Sequence, residues 1–156
     1  MPNRGIATTS FALAVCFLLL SHFDGYFFLI HFYESLIYLA IVLMLFYFED
    51  RWAYMIGMLA PAVWMALNLA WGGLHGIAVQ ATAALHPHHP FFAVGILSVL
   101  ATAFSLLLIG KCAYRWQREF RGLGKGWSTL VISSGVVVLY YALIVIWILR
   151  WPRLAA

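Results

Sequence analysis

The sequence predicts an all-α, polytopic membrane bundle of five transmembrane helices, and three observations carry that prediction. Hydrophobic residues make up 65% of the 156 positions and charged residues only 9%, whereas a water-soluble domain is about half apolar and a quarter charged. The apolar residues are gathered in blocks of about 20, the length that crosses a hydrocarbon layer of roughly 30 Å as a helix. None of the blocks has the short alternating pattern of a transmembrane barrel. Without long linkers, low-complexity tracts or internal repeats, residues 1–156 read as one domain.

The first segment, residues 7–23, spans only about 26 Å at the helical rise, so the alternative is four spans plus a short tilted or interfacial N-terminal helix. The N-terminal stretch "MPNRGIATTSFALAVCFLLL" has one arginine followed by an apolar run, as a signal peptide would. No A-x-A cleavage pattern follows, and "LAVC" matches a lipoprotein box only loosely, so the segment reads as a retained helix. The second helix covers residues 26–48, after the turn "SHFDGYF" in which Asp24-Gly25 supplies the turn chemistry. The third, residues 52–71, follows "FEDRW". Both connections are short enough to force adjacent antiparallel helices.

"GGLHG" is expected to break or bend the third helix after Trp71. Residues 77–85 then read as a short amphipathic piece along the outer surface, ended by Pro87. Pro90 suits the first turn of the fourth helix, residues 91–110, with His89 near its N-cap. "KCAYRWQREFRGLGKGW" reads as an amphipathic extension of that helix on an anionic inner leaflet. It lacks the Gly-Lys-Ser/Thr end of a phosphate loop. The fifth helix covers residues 127–149.

Orientation follows from the basic residues. Lys111, Arg115, Arg118, Arg121 and Lys125 place the fourth connection in the cytoplasm by the positive-inside rule. The N-terminus then lies inside, and the C-terminus and the "HPHH" loop outside. Seven of the nine Lys and Arg obey the rule, with Arg150 and Arg153 against it. A bacterial inner membrane fits this arrangement. The net charge of +4 belongs to these loops and points to no nucleic-acid partner.

All six histidines fall on the outer side: His22 in the first outward turn, His31 just inside the second helix, and His75, His86, His88 and His89 in the second outward connection. With Asp24 and Glu34 they form the metal candidates, for copper, zinc or haem, since imidazole is the commonest protein ligand for these ions. Against this, Pro-His-His-Pro has no established metal spacing, and a solvated loop needs polar residues. No cofactor at all is the leading expectation.

Within the second helix His31 and Glu34 lie one turn apart on one face, and Ser35 and Tyr38 continue the polar stripe inward. Glu34 sits about 12 Å below the interface by helical rise. A carboxylate at that depth must face protein, a cavity or a partner rather than lipid. His31–Glu34 reads as a proton path, a quinol-site acid or part of a metal sphere; the plainer alternative is an interhelical hydrogen-bond pair. In the third helix Trp64, Asn68, Trp71 and His75 form a second stripe, with Asn68 at a depth suited to contact His31 or to glue helices. Met55, Met58 and Met65 read as adaptable packing around a Pro61 kink. Gly95, Ser98, Thr102 and Ser105 form a small-residue seam for close helix approach, and "SSG" at 133–135 repeats the pattern. Cys16 and Cys112 lie at different depths and are not expected to pair.

Three function classes remain open. The first is a small accessory or structural subunit of a larger membrane complex, surrounded by lipid and by other membrane subunits or copies of itself. The second is a membrane redox or metal- or haem-binding protein with an outward His/Glu site. The third is a small proton-coupled carrier, although internal repeats and broken midplane helices are absent. Catalysis is the weakest case, because no Ser/His/Asp or Cys/His arrangement is present.

Overall fold

In apolar surroundings a backbone must satisfy its own N–H and C=O groups, and a helix does so within one segment. The computed structural model describes residues 3–88, 91–120 and 126–154, without the side chains of residues 73–77, 80, 148 and 151–154. The described residues form five helices and no strand: α1 (Arg4–Phe23), α2 (Phe28–Phe46), α3 (Asp50–Leu85), α4 (Phe92–Phe120) and α5 (Gly126–Leu154). Each contains a stretch long and apolar enough to cross a membrane.

The first helix is longer than its apolar run. It starts at Arg4, where the Asn3 carbonyl accepts from the Ile6 and Ala7 amides, and its 20 residues reach about 30 Å. It is therefore not the short segment that the hydrophobic pattern implied.

The third helix also departs from expectation. It runs through "GGLHG" without a break for 36 residues, so residues 77–85 continue α3 instead of forming a separate surface piece. Each glycine costs a helix about 1 kcal/mol. In apolar surroundings, breaking the helix would strand several backbone polar groups at a higher cost each. Pro61 is likewise held inside α3. The helix ends at His86, whose Nδ1 lies 2.8 Å from the Thr82 carbonyl. The fourth helix carries the basic stretch as a helical extension to Phe120, as its amphipathic pattern predicts.

Four helices close a ring: α1 packs on α2 and α4, and α3 packs on α4 and α2. The fifth packs on α3. It is also latched to α2, where the Tyr33 and Tyr140 rings stack at 4.3 Å and each hydroxyl donates to the other residue's carbonyl oxygen. Leu13, Phe17, Tyr38, Ile41, Tyr54 and Leu108 fill the centre of the ring, all fully buried. Phe11, Leu43, Phe46, Leu106, Val138 and Leu139 stand exposed on its outside. An apolar exterior around a core containing buried tyrosines and serines is what a lipid-facing surface requires.

At the end where α1 begins, polar side chains bind the helices together. Asn3 donates to Asp50 at 2.7 Å, and the Tyr54 hydroxyl lies 2.6 Å from Asn3 Oδ1 and 3.1 Å from Glu119 Oε2. Lys111 donates to the Gly5 carbonyl and to Thr9 Oγ1. At Gly57 α3 approaches α4 closely: an added Cβ would lie 2.7 Å from Cys112 Sγ. Cys16 and Cys112 are both buried free thiols.

Candidate functional site

The turn between α1 and α2 places the first group. The Asp24 carbonyl and its Oδ1 both face the Phe27 amide, at 3.2 and 3.4 Å. This local side-chain turn fixes the carboxyl over the start of α2. One turn into α2, His31 Nε2 stands 3.6 Å from Asp24 Oδ2. On its other edge His31 Nδ1 shares a hydrogen bond with Glu34 Oε2 at 3.0 Å. The i, i+3 spacing read from the sequence is therefore a made contact. The imidazole bridges two carboxyls, one near the mouth of the bundle and one in its core.

Burial grades along this chain. The side chains of Asp24 and His31 are 22% and 19% exposed and that of Glu34 only 8%, so solvent reaches one end and not the other. An ion pair at Glu34 would bring its own countercharge, which is the condition for a carboxylate to persist in an apolar bundle.

Residues from other helices wall the site. Phe17 of α1 stacks on Tyr38 at 5.4 Å, stands edge-on to Trp64 at 5.3 Å and lies 6.3 Å from His31. The Trp64 side chain also reaches the Glu34 carboxyl. Below Glu34, the Tyr38 hydroxyl lies against those of Tyr141 on α5 and Ser105 on α4. Ser35, by contrast, turns its hydroxyl onto its own helix at the Phe32 carbonyl.

The other proposed site residues lie elsewhere. Asn68 donates to the Trp64 carbonyl at 3.0 Å and lines a cleft of about 480 Å³ between α3 and α4 with Ser98 and Thr102. No described contact joins it to His31. His22 packs edge-on against Phe23, His86 caps α3, and His88 is exposed in the following turn. His89 and the side chain of His75 lie outside the described residues. Among the described residues no group of three or more His, Cys, Asp and Glu is arranged to hold a metal ion. Sequence spacing gave no sign of Phe17, Ser105, Tyr140 or Tyr141 as neighbours of the site, because they belong to other helices.

Chemically, the Asp24–His31–Glu34 chain offers three protonatable groups in series from surface to core. A proton moved between imidazole and carboxyl at 3.0 Å turns a neutral pair into an ion pair without moving either residue. Comparison with protein-family models, with curated protein sequences and with solved structures finds no match.

Proposed function

We propose that this chain crosses a membrane five times, as a small subunit of a larger membrane assembly, and that its outward-facing Asp24–His31–Glu34 chain takes up and releases protons. The bacterial inner membrane is the compartment this reading favours. The N-terminus and the basic end of α4 lie in the cytoplasm, as the positive-inside rule requires.

The observation that carries the proton reading is the bridging imidazole, 3.0 Å from buried Glu34 on one edge and 3.6 Å from partly exposed Asp24 on the other. Histidine is the side chain whose ordinary charge change lies nearest neutral pH. Asp24 exchanges with solvent, His31 receives from Asp24, and Glu34 receives from His31. A purely structural pair would not need a second carboxyl on the solvent side.

Infrared difference spectra of the protein in lipid vesicles, stepped between two pH values, test this. The carboxyl band of Glu34, assigned by its loss in Glu34→Gln, should follow the step, and Asp24→Asn and His31→Gln should slow it. A Glu34 band that ignores the external pH would refute proton exchange. The subunit part of the reading rests on the aromatic residues of the exterior, Phe11, Tyr26, Phe46 and Tyr47 among them, which can pack against neighbouring helices as well as lipid. Recovery of the chain from native membranes only as a free monomer would refute that part.

A further inference from the structure

Several hydroxyls in this bundle bond back to their own helix. Ser21 donates to Leu18, Ser35 to Phe32, Thr9 to Gly5 and Thr102 to Ser98, each to a carbonyl on its own helix. In a medium without water this is the nearest acceptor available. Three hydroxyls beneath Glu34 do not. Tyr38, Ser105 and Tyr141 come from α2, α4 and α5 and are 0%, 0% and 2% exposed. None of the three meets hydrogen-bond geometry, although the Tyr38 hydroxyl lies close to those of Tyr141 and Ser105. Ser105 has its own helix's carbonyls within one turn and does not use them, although Thr102, one turn earlier, does.

Three unpartnered hydroxyls from three helices, drawn to one place, form a polar site with donors and acceptors to offer. Groups so placed are the usual partners of buried water, which makes two to four hydrogen bonds. Tyr38 lies one turn below Glu34 on the same face of α2.

We propose that Tyr38, Ser105 and Tyr141 form a hydrated site in which ordered water joins the three hydroxyls to Glu34 and extends the proton chain inward from the outer triad. The inference rests on the proton-exchange reading of that triad. Glu34 gives its proton to a neighbouring water, and that water passes a different proton on to the next oxygen. Each intervening oxygen loses one O–H bond as it gains another, Glu34 regains its proton from His31, and the last hydroxyl hands its own to water on the side toward Ser133. No electron moves and no other bond changes. The charged and titratable groups around this path are Glu34, His31 and Asp24 above it, and Tyr140 beside Tyr141. Ser10 on α1 and Ser133 on α5 are also fully buried without a partner. Both lie toward the end where α1 begins, Ser133 about 12 Å along α5 from Tyr141, and they mark the direction in which such a path would continue.

The full-length protein in lipid vesicles, labelled for solid-state NMR, provides the test. Magnetisation transferred from water should reach the hydroxyl-bearing ring carbons of Tyr38 and Tyr141 as well as the Glu34 carboxyl. In infrared difference spectra the tyrosine C–O bands should respond together with Glu34. Tyr38→Phe, which keeps the ring and its stack on Phe17, should abolish the Tyr141 response and leave the Glu34 response intact. Tyrosines without water contact, beside a Glu34 that still follows the pH step, would overturn the hydrated site and spare the triad. A silent Glu34 would overturn the proton-exchange reading itself, while water contact at the tyrosines would still decide the hydration. If Tyr38→Phe and Ser105→Ala only raise thermal stability and change no spectrum, the hydroxyls are structural and the inference fails.

Discussion

Gly57→Ala is the sharpest test of how this bundle is packed. The new Cβ would stand 2.7 Å from Cys112 Sγ, and 3.9 Å from both Cys112 Cβ and Leu108 Cδ1. The last two distances are ordinary contacts and the first is not, so the whole conflict lies in one sulfur atom. Cys112 is fully buried, which leaves its Sγ little room to rotate away. Either α3 and α4 separate or Cys112 takes an unfavourable rotamer, and overpacking of this kind costs about 1–3 kcal/mol. That corresponds to roughly a 5- to 150-fold loss in the folded-to-unfolded ratio. Cys112→Ala removes the sulfur and leaves a Cβ at 3.9 Å. The double variant should therefore recover most of the loss, giving a coupling energy of about 1–2 kcal/mol in a double-mutant cycle. Reversible unfolding in mixed micelles measures all four proteins. A neutral Gly57→Ala, or a double variant as unstable as the single one, would refute the close approach of α3 to α4.

The number and order of the helices are legible because five apolar blocks stand in the sequence, each long enough to cross a membrane as a helix, and the structure has a helix at each. Their ends are less legible. At "GGLHG" the local rule that glycine weakens helices competes with the need to keep backbone groups paired, and the second effect is larger. At the start of α1, Asn3 and the polar contacts of Lys111 with Gly5 and Thr9 carry the helix beyond its apolar run. Nothing in hydropathy registers such a tether. Gly57 carries no signal in the sequence because a lone glycine in a helix belongs to no pattern, whereas Gly95, Ser98, Thr102 and Ser105 do.

The candidate site divides along the same line. His31 and Glu34 are neighbours by helical geometry alone, and Asp24 is held near them by a turn its own side chain builds. These contacts are local and can be read from spacing. Phe17, Trp64, Ser105 and Tyr141 arrive from four other helices, so their depth depends on how helices slide and rotate against one another. That choice is made by small-residue contacts such as Gly57 against Cys112, which a single sequence does not rank. Asn68 shows the limit: four residues after Trp64, it is turned by about 40° around the helix, enough to face α4 rather than His31.

Phe48 closes α2 at φ 62°, a left-handed position that suits glycine and costs a bulky residue about 1–2 kcal/mol. Its side chain is 87% exposed, so Phe48→Gly should stabilise the fold by about 1 kcal/mol; a loss of that size would mean the ring anchors the helix end. Tyr54→Phe removes a hydroxyl held by Asn3 and Glu119 and should cost about 1–2 kcal/mol. Hydrogen exchange should rise first at the start of α1, and unchanged exchange there would count against the tether. Orientation is checked with an impermeant maleimide on intact cells, since Cys16 and Cys112 are buried: Gly25→Cys should label and Gln117→Cys should not, and the reverse would invert the topology. Phe17→Ala goes to the centre of the site. In a soluble core such a change costs about 3–5 kcal/mol, part of it the transfer of the ring from water. In a membrane the ring leaves one apolar medium for another, so the packing part dominates. Two aromatic pairs, with Tyr38 and Trp64, contribute about 0.5–1.5 kcal/mol each, and the cavity adds to that, giving about 2–3 kcal/mol. The variant also removes the ring that packs against His31, Tyr38 and Trp64. Phe17 shields that part of the core from external solvent, so Phe17→Ala should let bulk water reach Glu34 from outside and make its response independent of Asp24. An Asp24→Asn, Phe17→Ala double variant that is as slow as Asp24→Asn alone would show that the ring supports the fold and does not shape the proton path.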